Sequence, residues 1–80
     1  MDFKPSGVCS QMIHIDLDGN KIENVEFFGG CSGNTQGVAR LVKGMDVDEA
    51  ISRLEGICCG FKNTSCPDQL AKALKIAAGK

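Results

Sequence analysis

The chain is 80 residues long and 42% hydrophobic, with a formal net charge of −1, which describes one small globular domain. Trp and Tyr are absent and the nine Lys and Arg form no stripe with interleaved aromatics, which excludes the usual nucleic-acid surfaces. No apolar run approaches the ~20 residues that span a bilayer, which excludes a transmembrane helix.

Residues 8–17 open the pattern. Cys9, Ile13, Ile15 and Leu17 fall on one face of an alternating strand, and Ser10, Met12, His14 and Asp16 fall on the other. Asp18-Gly19-Asn20 is a hairpin signal, and Lys21 to Phe28 is the returning strand, with Val25 and Phe27 opposite Ile22 and Phe28. With Leu17 and Lys21 flanking the turn, Cys9 reaches the level of Gly29 and Gly30, so Cys31 should emerge close to it. His14, the only histidine, points away from Cys9 and reads as a surface or partly buried residue. Met1-Asp2-Phe3-Lys4-Pro5 lacks the charged-then-apolar pattern of a secretory signal, so a cytoplasmic location is expected.

Gly29-Gly30-Cys31-Ser32-Gly33-Asn34-Thr35-Gln36-Gly37 packs four glycines into nine residues. Such a backbone turns tightly and approaches other groups closely. It matches neither a dinucleotide fingerprint nor a P-loop and carries no Lys, so a conformational role is favoured over phosphate binding. The helix that follows has its apolar stripe at Val38, Leu41, Val42 and Met45, Asn34 or Thr35 as cap, and Gly44 at its end. Gly37 near its first turn weakens it, for which close packing of another backbone would be a sufficient reason. A second helix starts from Asp46 as cap, with Glu49 at its third position, and has Val47, Ala50, Ile51 and Leu54 as its stripe before Gly56.

Ile57-Cys58-Cys59-Gly60-Phe61-Lys62-Asn63 reads as a loop or short extended segment. Thr64-Ser65-Cys66-Pro67-Asp68-Gln69-Leu70 then starts a third helix, from about Pro67 to Ala78, supported by Leu70, Ala71, Leu74, Ile76, Ala77 and Ala78. Pro67 suits a first helical position and disfavours the α region for Cys66, which makes Cys66 the preferred cap. The competing frame caps with Ser65, three residues before Asp68. Either frame holds the Cys66 sulfur within one turn of a helix N-terminus, where negative charge is stabilised, and a thiolate is the form that binds metal or attacks an electrophile. The order of elements predicts an α+β fold. Its N-terminal antiparallel β-hairpin, extended by a short strand or a second subunit, packs against about three helices.

Five cysteines are an odd number, and adjacent Cys58 and Cys59 are awkward for a disulfide framework. In a reducing cytosol such a set points to metal binding, thiol catalysis or plain burial.

Five stretches together resemble the TSCPD family over nearly the whole chain. They are Gly7-Val8-Cys9-Ser10, Gly29-Gly30-Cys31-x-Gly33-Asn34-x-Gln36-Gly37, Leu41-Val42-x-Gly44-Met45, Gly56-Ile57-x-Cys59-Gly60 and Thr64-Ser65-Cys66-Pro67-Asp68-Gln69-Leu70-Ala71. The resemblance implies a relation to ribonucleotide reductases, because similar segments form the C-terminal part of some of them, notably cobalamin-dependent ones. It selects Cys9, Cys31, Cys59 and Cys66 and leaves Cys58 at a variable position. Its other motif positions here include Gly29, Gly30, Gly33, Asn34, Gly37, Ser65, Pro67 and Asp68. Stand-alone members are often labelled reductases by that similarity, yet 80 residues leave no room for nucleotide and cobalamin sites, so the whole reaction is not expected of this chain.

On that pattern Cys9, Cys31, Cys59 and Cys66 are candidate ligands of one structural zinc, which would staple a small domain although no CxxC pair is present. A second expectation is disulfide exchange by Cys59 and Cys66, as candidate catalytic residues, alongside a ribonucleotide reductase-type partner. A third is a structural or interaction domain whose cysteines serve packing, with a homodimer formed through the sheet edge or the alanine-rich helix.

Overall fold

Alternation along residues 8–17, the hairpin signal after them and helical periodicity later in the chain give a sheet followed by helices. The computed structural model describes residues 1–5, 7, 10–29, 32–57 and 64–79. Strands β1 (Asp2–Phe3), β2 (Ser10–Asp18) and β3 (Lys21–Gly29) precede helices α1 (Ser32–Val42), α2 (Val47–Leu54) and α3 (Cys66–Ala77). The fold is α+β, as the pattern predicts.

The sheet is antiparallel, in the order β1-β2-β3, so the predicted hairpin is completed by a third strand. That strand comes from the very start of the chain, where Asp2 faces His14 and Phe3 faces Ile13. Two residues are too few to show an alternating pattern, which is why sequence reading passes over them. The Met1 ammonium donates to the Ile15 carbonyl at 2.7 Å, and the Ile15 N–H returns to the Met1 carbonyl at 2.8 Å.

The hairpin turns through Gly19 and Asn20, between the paired Asp18 and Lys21. Gly19 has φ +60° and Asn20 does not share the positive sign, the pattern of a type II′ turn. One expectation fails within β3. Ile22 and Val25 are both buried, although simple alternation sets them on opposite faces. The register explains it: Asp16 pairs with Asn24 but Leu17 pairs with Ile22, so Glu23 is an extra residue that rotates the strand end by one side chain. A second shift lies between Ser10 and Met12, opposite Gly29 and Phe28.

The core lies between one sheet face and the helices. Ile13 and Ile15 of β2 meet α3, whose Leu70 and Leu74 are fully buried, while α1 packs on β3 and α2 on α3. Helix α2 is capped by Asp46, whose carboxylate accepts the Asp48 N–H at 3.1 Å. The hairpin tip docks there too: Asn20 donates to Asp46 at 2.6 Å and accepts the Val47 N–H at 2.9 Å. Gly44 and Gly56 follow α1 and α2 with φ of +84° and +85°, as the sequence leads one to expect.

Helix α1 departs from its expected outline. It starts at Ser32, so Asn34 and Thr35 lie inside it rather than capping it. Small polar residues that suit a cap also suit a first turn, whose N–H groups have no partner within the helix. Thr35 is buried, and Leu41 is 76% exposed, leaving Val42 with half-buried Val38, Ala39 and Met45 to face the core. Ile76 of α3 is likewise exposed, at 61%. Among the described residues no helix is long and apolar enough to cross a membrane.

Candidate functional site

The start of α3 carries the densest polar chemistry in the described structure. Ser65 is extended, at φ −153° and ψ 171°, and its Oγ accepts the Asp68 N–H at 3.2 Å, so Ser65 is the N-cap. Cys66 is thereby the first helical residue and Pro67 the second, which corrects the frame with Cys66 as cap. The bias of the pre-proline residue away from the helix is overridden by the Ser65 cap and by the hydrogen bond from Gln69 N–H to the Ser65 carbonyl, 2.8 Å.

Asp68 occupies the third helical position, but its carboxylate does not turn back to the cap. Oδ1 accepts the Gly56 N–H at 2.7 Å, and Oδ2 accepts the Thr64 hydroxyl at 2.6 Å. Gln69 Nε2 in turn donates to Thr64 Oγ1 at 2.9 Å. The Ser65 hydroxyl donates to the Ile57 carbonyl at 2.6 Å. Thr64, Ser65, Asp68 and Gln69 are all buried, and no buried side-chain polar atom among the described residues lacks a partner. The Thr64 hydroxyl and then the Gly56 N–H hold the Asp68 carboxyl below its ordinary range, against the opposing effect of burial; Lys72, 3.8 Å away, adds a smaller attraction.

This network joins the end of α2 to the start of α3. In sequence Gly56 and Ile57 precede residues 58–63 and Thr64 and Ser65 follow them, and it is these flanking residues that are bonded across. Gly7 also approaches: a Cβ at its φ of +73° would lie 3.1 Å from Thr64 Cγ2. At the sheet end Ser10 is paired with Gly29.

Cys66 is half-buried at the first turn of α3. Cys9, Cys31, Cys58 and Cys59, with Gly30, lie outside the described residues, as does the side chain of Asn34, while Gly33 lies in α1. Among the described residues no three His, Cys, Asp or Glu side chains are grouped as a metal site. Gly29 has the left-handed φ of +80° that a conformational glycine requires. Gly37 does not have a backbone packed against it, since an added Cβ would meet nothing described within 4 Å. His14 lies on the sheet face away from the core, with Nδ1 2.6 Å from Asp2 and Nε2 3.1 Å from Asp16. The roles of Thr64 and Gln69 in supporting Asp68 are not visible in the sequence as such; the one signal is a Gln next to Leu70 on the buried side of α3.

The family model for the TSCPD domain matches residues 1–78. The chain belongs to the TSCPD domain family. The five letters of that name are this network in order: Thr64 and Asp68 share a proton-donor contact, Ser65 caps, Cys66 and Pro67 open the helix. No curated protein and no solved structure matches this TSCPD domain.

Proposed function

We propose that this TSCPD domain is an accessory binding module in which Cys9, Cys31, Cys59 and Cys66 hold one zinc ion, serving a protein of the ribonucleotide reductase type. The observation that supports it is the pairing of the described residues beside those cysteines. Gly7, two before Cys9, lies against Thr64, two before Cys66. Ser10, next to Cys9, opposes Gly29, two before Cys31. Ile57, two before Cys59, is bonded to Ser65, next to Cys66. Four chain segments that meet in this way suit a four-thiolate ligand set, and zinc accepts such a set tetrahedrally. A bound ion would also add the staple that a domain of this size commonly uses.

A fixed ligand role agrees better with these contacts than a mobile dithiol does. Gly56 and Ile57, the residues before Cys58 and Cys59, are bonded to Asp68 and Ser65, whereas disulfide exchange with a partner needs an accessible and movable pair. The relation to ribonucleotide reductases rests on the resemblance of the motifs.

Native mass spectrometry with elemental analysis tests the reading on protein purified reduced and without chelator. One zinc per chain, lost in Cys66→Ser, is expected. A metal-free chain whose mass falls by two hydrogens on oxidation would overturn it in favour of Cys59–Cys66 exchange. A metal-free chain indifferent to oxidant would leave packing as the role of the thiols, and the same spectra would reveal a homodimer.

A further inference from the structure

Strand β3 is an edge of the sheet, and its outer side is only partly covered. Ile15 directs both its N–H and its carbonyl at Met1, so His14 and its even-numbered neighbours in β2 direct theirs at β3. His14 with Glu26 and Met12 with Phe28 are therefore the hydrogen-bonded pairs, and Val25 and Phe27 turn their backbone groups outward. At the hairpin end the same outward side is filled. Ile22 donates to the Met45 carbonyl at 3.0 Å and accepts the Gly44 N–H at 2.7 Å, and Lys21 bridges to Asp46. Beyond the bulge at Glu23 no described hydrogen bond reaches the outward N–H or carbonyl of Val25 or Phe27.

Helix α1 runs beside this open stretch. Gln36, Arg40 and Lys43, at i, i+4 and i+7, border a groove of about 380 Å³ whose other wall is residues 24–27 of β3. Arg40 and Lys43 are exposed, and neither is in an ion pair among the described residues. The one carboxylate in the groove, Glu26, accepts from Asn24 at 3.2 Å.

We propose that this groove takes an extended acidic segment of another protein, added to β3 as a fourth strand. Its backbone pairs with the outward groups of Val25 and Phe27, and its carboxylates at alternate positions meet Arg40 and Lys43. Same-face side chains of a strand recur every ~6.7 Å, and helix residues three apart hold their Cβ atoms about 5–6 Å apart, so two acids at i and i+2 reach both cations. Alternating donors and acceptors on one wall and cations on the other select a peptide over a simple anion, which the two carbonyls would repel. A second copy fits less well, because edge-to-edge pairing of two β3 strands sets the two Arg40–Lys43 stripes face to face. The surface is built from β3 and α1, and it stands or falls independently of the cysteine reading.

The test is titration of the full, ¹⁵N-labelled chain with the blocked peptide acetyl-Thr-Glu-Val-Glu-Val-Glu-Thr-amide. Saturable shifts centred on β3 and α1 are expected, with amide exchange at Val25 and Phe27 slowed about tenfold or more. Arg40→Ala with Lys43→Ala should weaken binding about tenfold, and Lys in place of Glu in the peptide, or N-methylation of its central residue, should abolish it. Both substituted residues are exposed, so the variant keeps its fold. Absence of saturable binding would overturn the proposal, as would binding that leaves the Val25 and Phe27 amides unprotected or that survives N-methylation. Protection of those amides without peptide, rising with protein concentration, would overturn it in favour of a second copy.

Discussion

The carboxylate of Asp68 accepts the backbone N–H of Gly56 at 2.7 Å across twelve positions of sequence. That contact makes a residue of the family motif into the bolt between α2 and α3, with Thr64 filling the second oxygen. The side chains of Thr64, Ser65 and Asp68 are thereby committed to building the domain.

Asp68→Asn should therefore cost stability in a pH-dependent way. The folded carboxyl titrates below its ordinary value of 3.8, so its contribution is fully present above that value and is lost as pH falls through the lower folded one. At neutral pH the Asn variant is expected to lose about 1–3 kcal/mol, because its amide nitrogen offers Thr64 a second donor where an acceptor stood. Urea unfolding at pH 7 and in the acid limb measures this. The gap between the two proteins should shrink on the acid side, and a constant gap would show that the charge is not what matters.

Ser65→Ala removes two bonds at once, the cap to Asp68 N–H and the donation to Ile57. A loss of about 1–2 kcal/mol is expected from the cap. Because Ser65 and Asp68 tie the same two chain ends, the double variant should depart from additivity by about 0.5–3 kcal/mol. Strict additivity in a denaturation cycle would mean that the two clamps act separately.

The imidazole of His14 gives a signal of opposite sign. It meets Asp2 from β1 and Asp16 from its own strand, and Glu26 is its cross-strand neighbour on β3. The bond to Asp2, then that to Asp16, raises its pKa above 6.5. Its contribution is present in full below the unfolded value and fades as pH rises through the folded one. An NMR titration should place the His14 midpoint above that of a peptide histidine, and Asp2→Asn should bring it down. An unchanged midpoint in Asp2→Asn would remove β1 from the account.

Much of this was legible in the residues. Alternation set Ile13 and Ile15 inside and His14 outside, and Asp46 announced the start of α2. The rest depended on geometry that a linear pattern does not carry. One extra residue at Glu23 brought Ile22 and Val25 to the same face, and two residues at the chain start made a strand. Leu41 fits an apolar stripe by spacing yet faces outward, because α1 meets the core through Val42 and its half-buried neighbours. At the site, the pre-proline rule favours Cys66 as cap over the Ser65 frame that the structure adopts, and the bonds of Ser65 and Asp68 to Ile57 and Gly56 are tertiary and leave no local signature. The expected meeting of Cys9 and Cys31 lies outside the described residues.

Two glycines of the same run make opposite predictions. Gly29 has φ +80°, and a Cβ there would lie 3.3 Å from Gln11 Cγ, within the irregular pairing at the end of β2. Gly29→Ala should lose at least ~1–2 kcal/mol, the cost of a side chain in the left-handed region, before any contact is counted. Gly37 sits in the interior of α1 with open space where a Cβ would go. Gly37→Ala should therefore gain about 0.5–1 kcal/mol, since alanine gives up less backbone freedom on entering a helix. Thermal or urea unfolding of the two variants, measured side by side, separates conformational need from motif membership. A gain at Gly37 would mean that its place in the family motif answers to something other than the stability of this fold, while a loss would show a contact made by residues beyond those described.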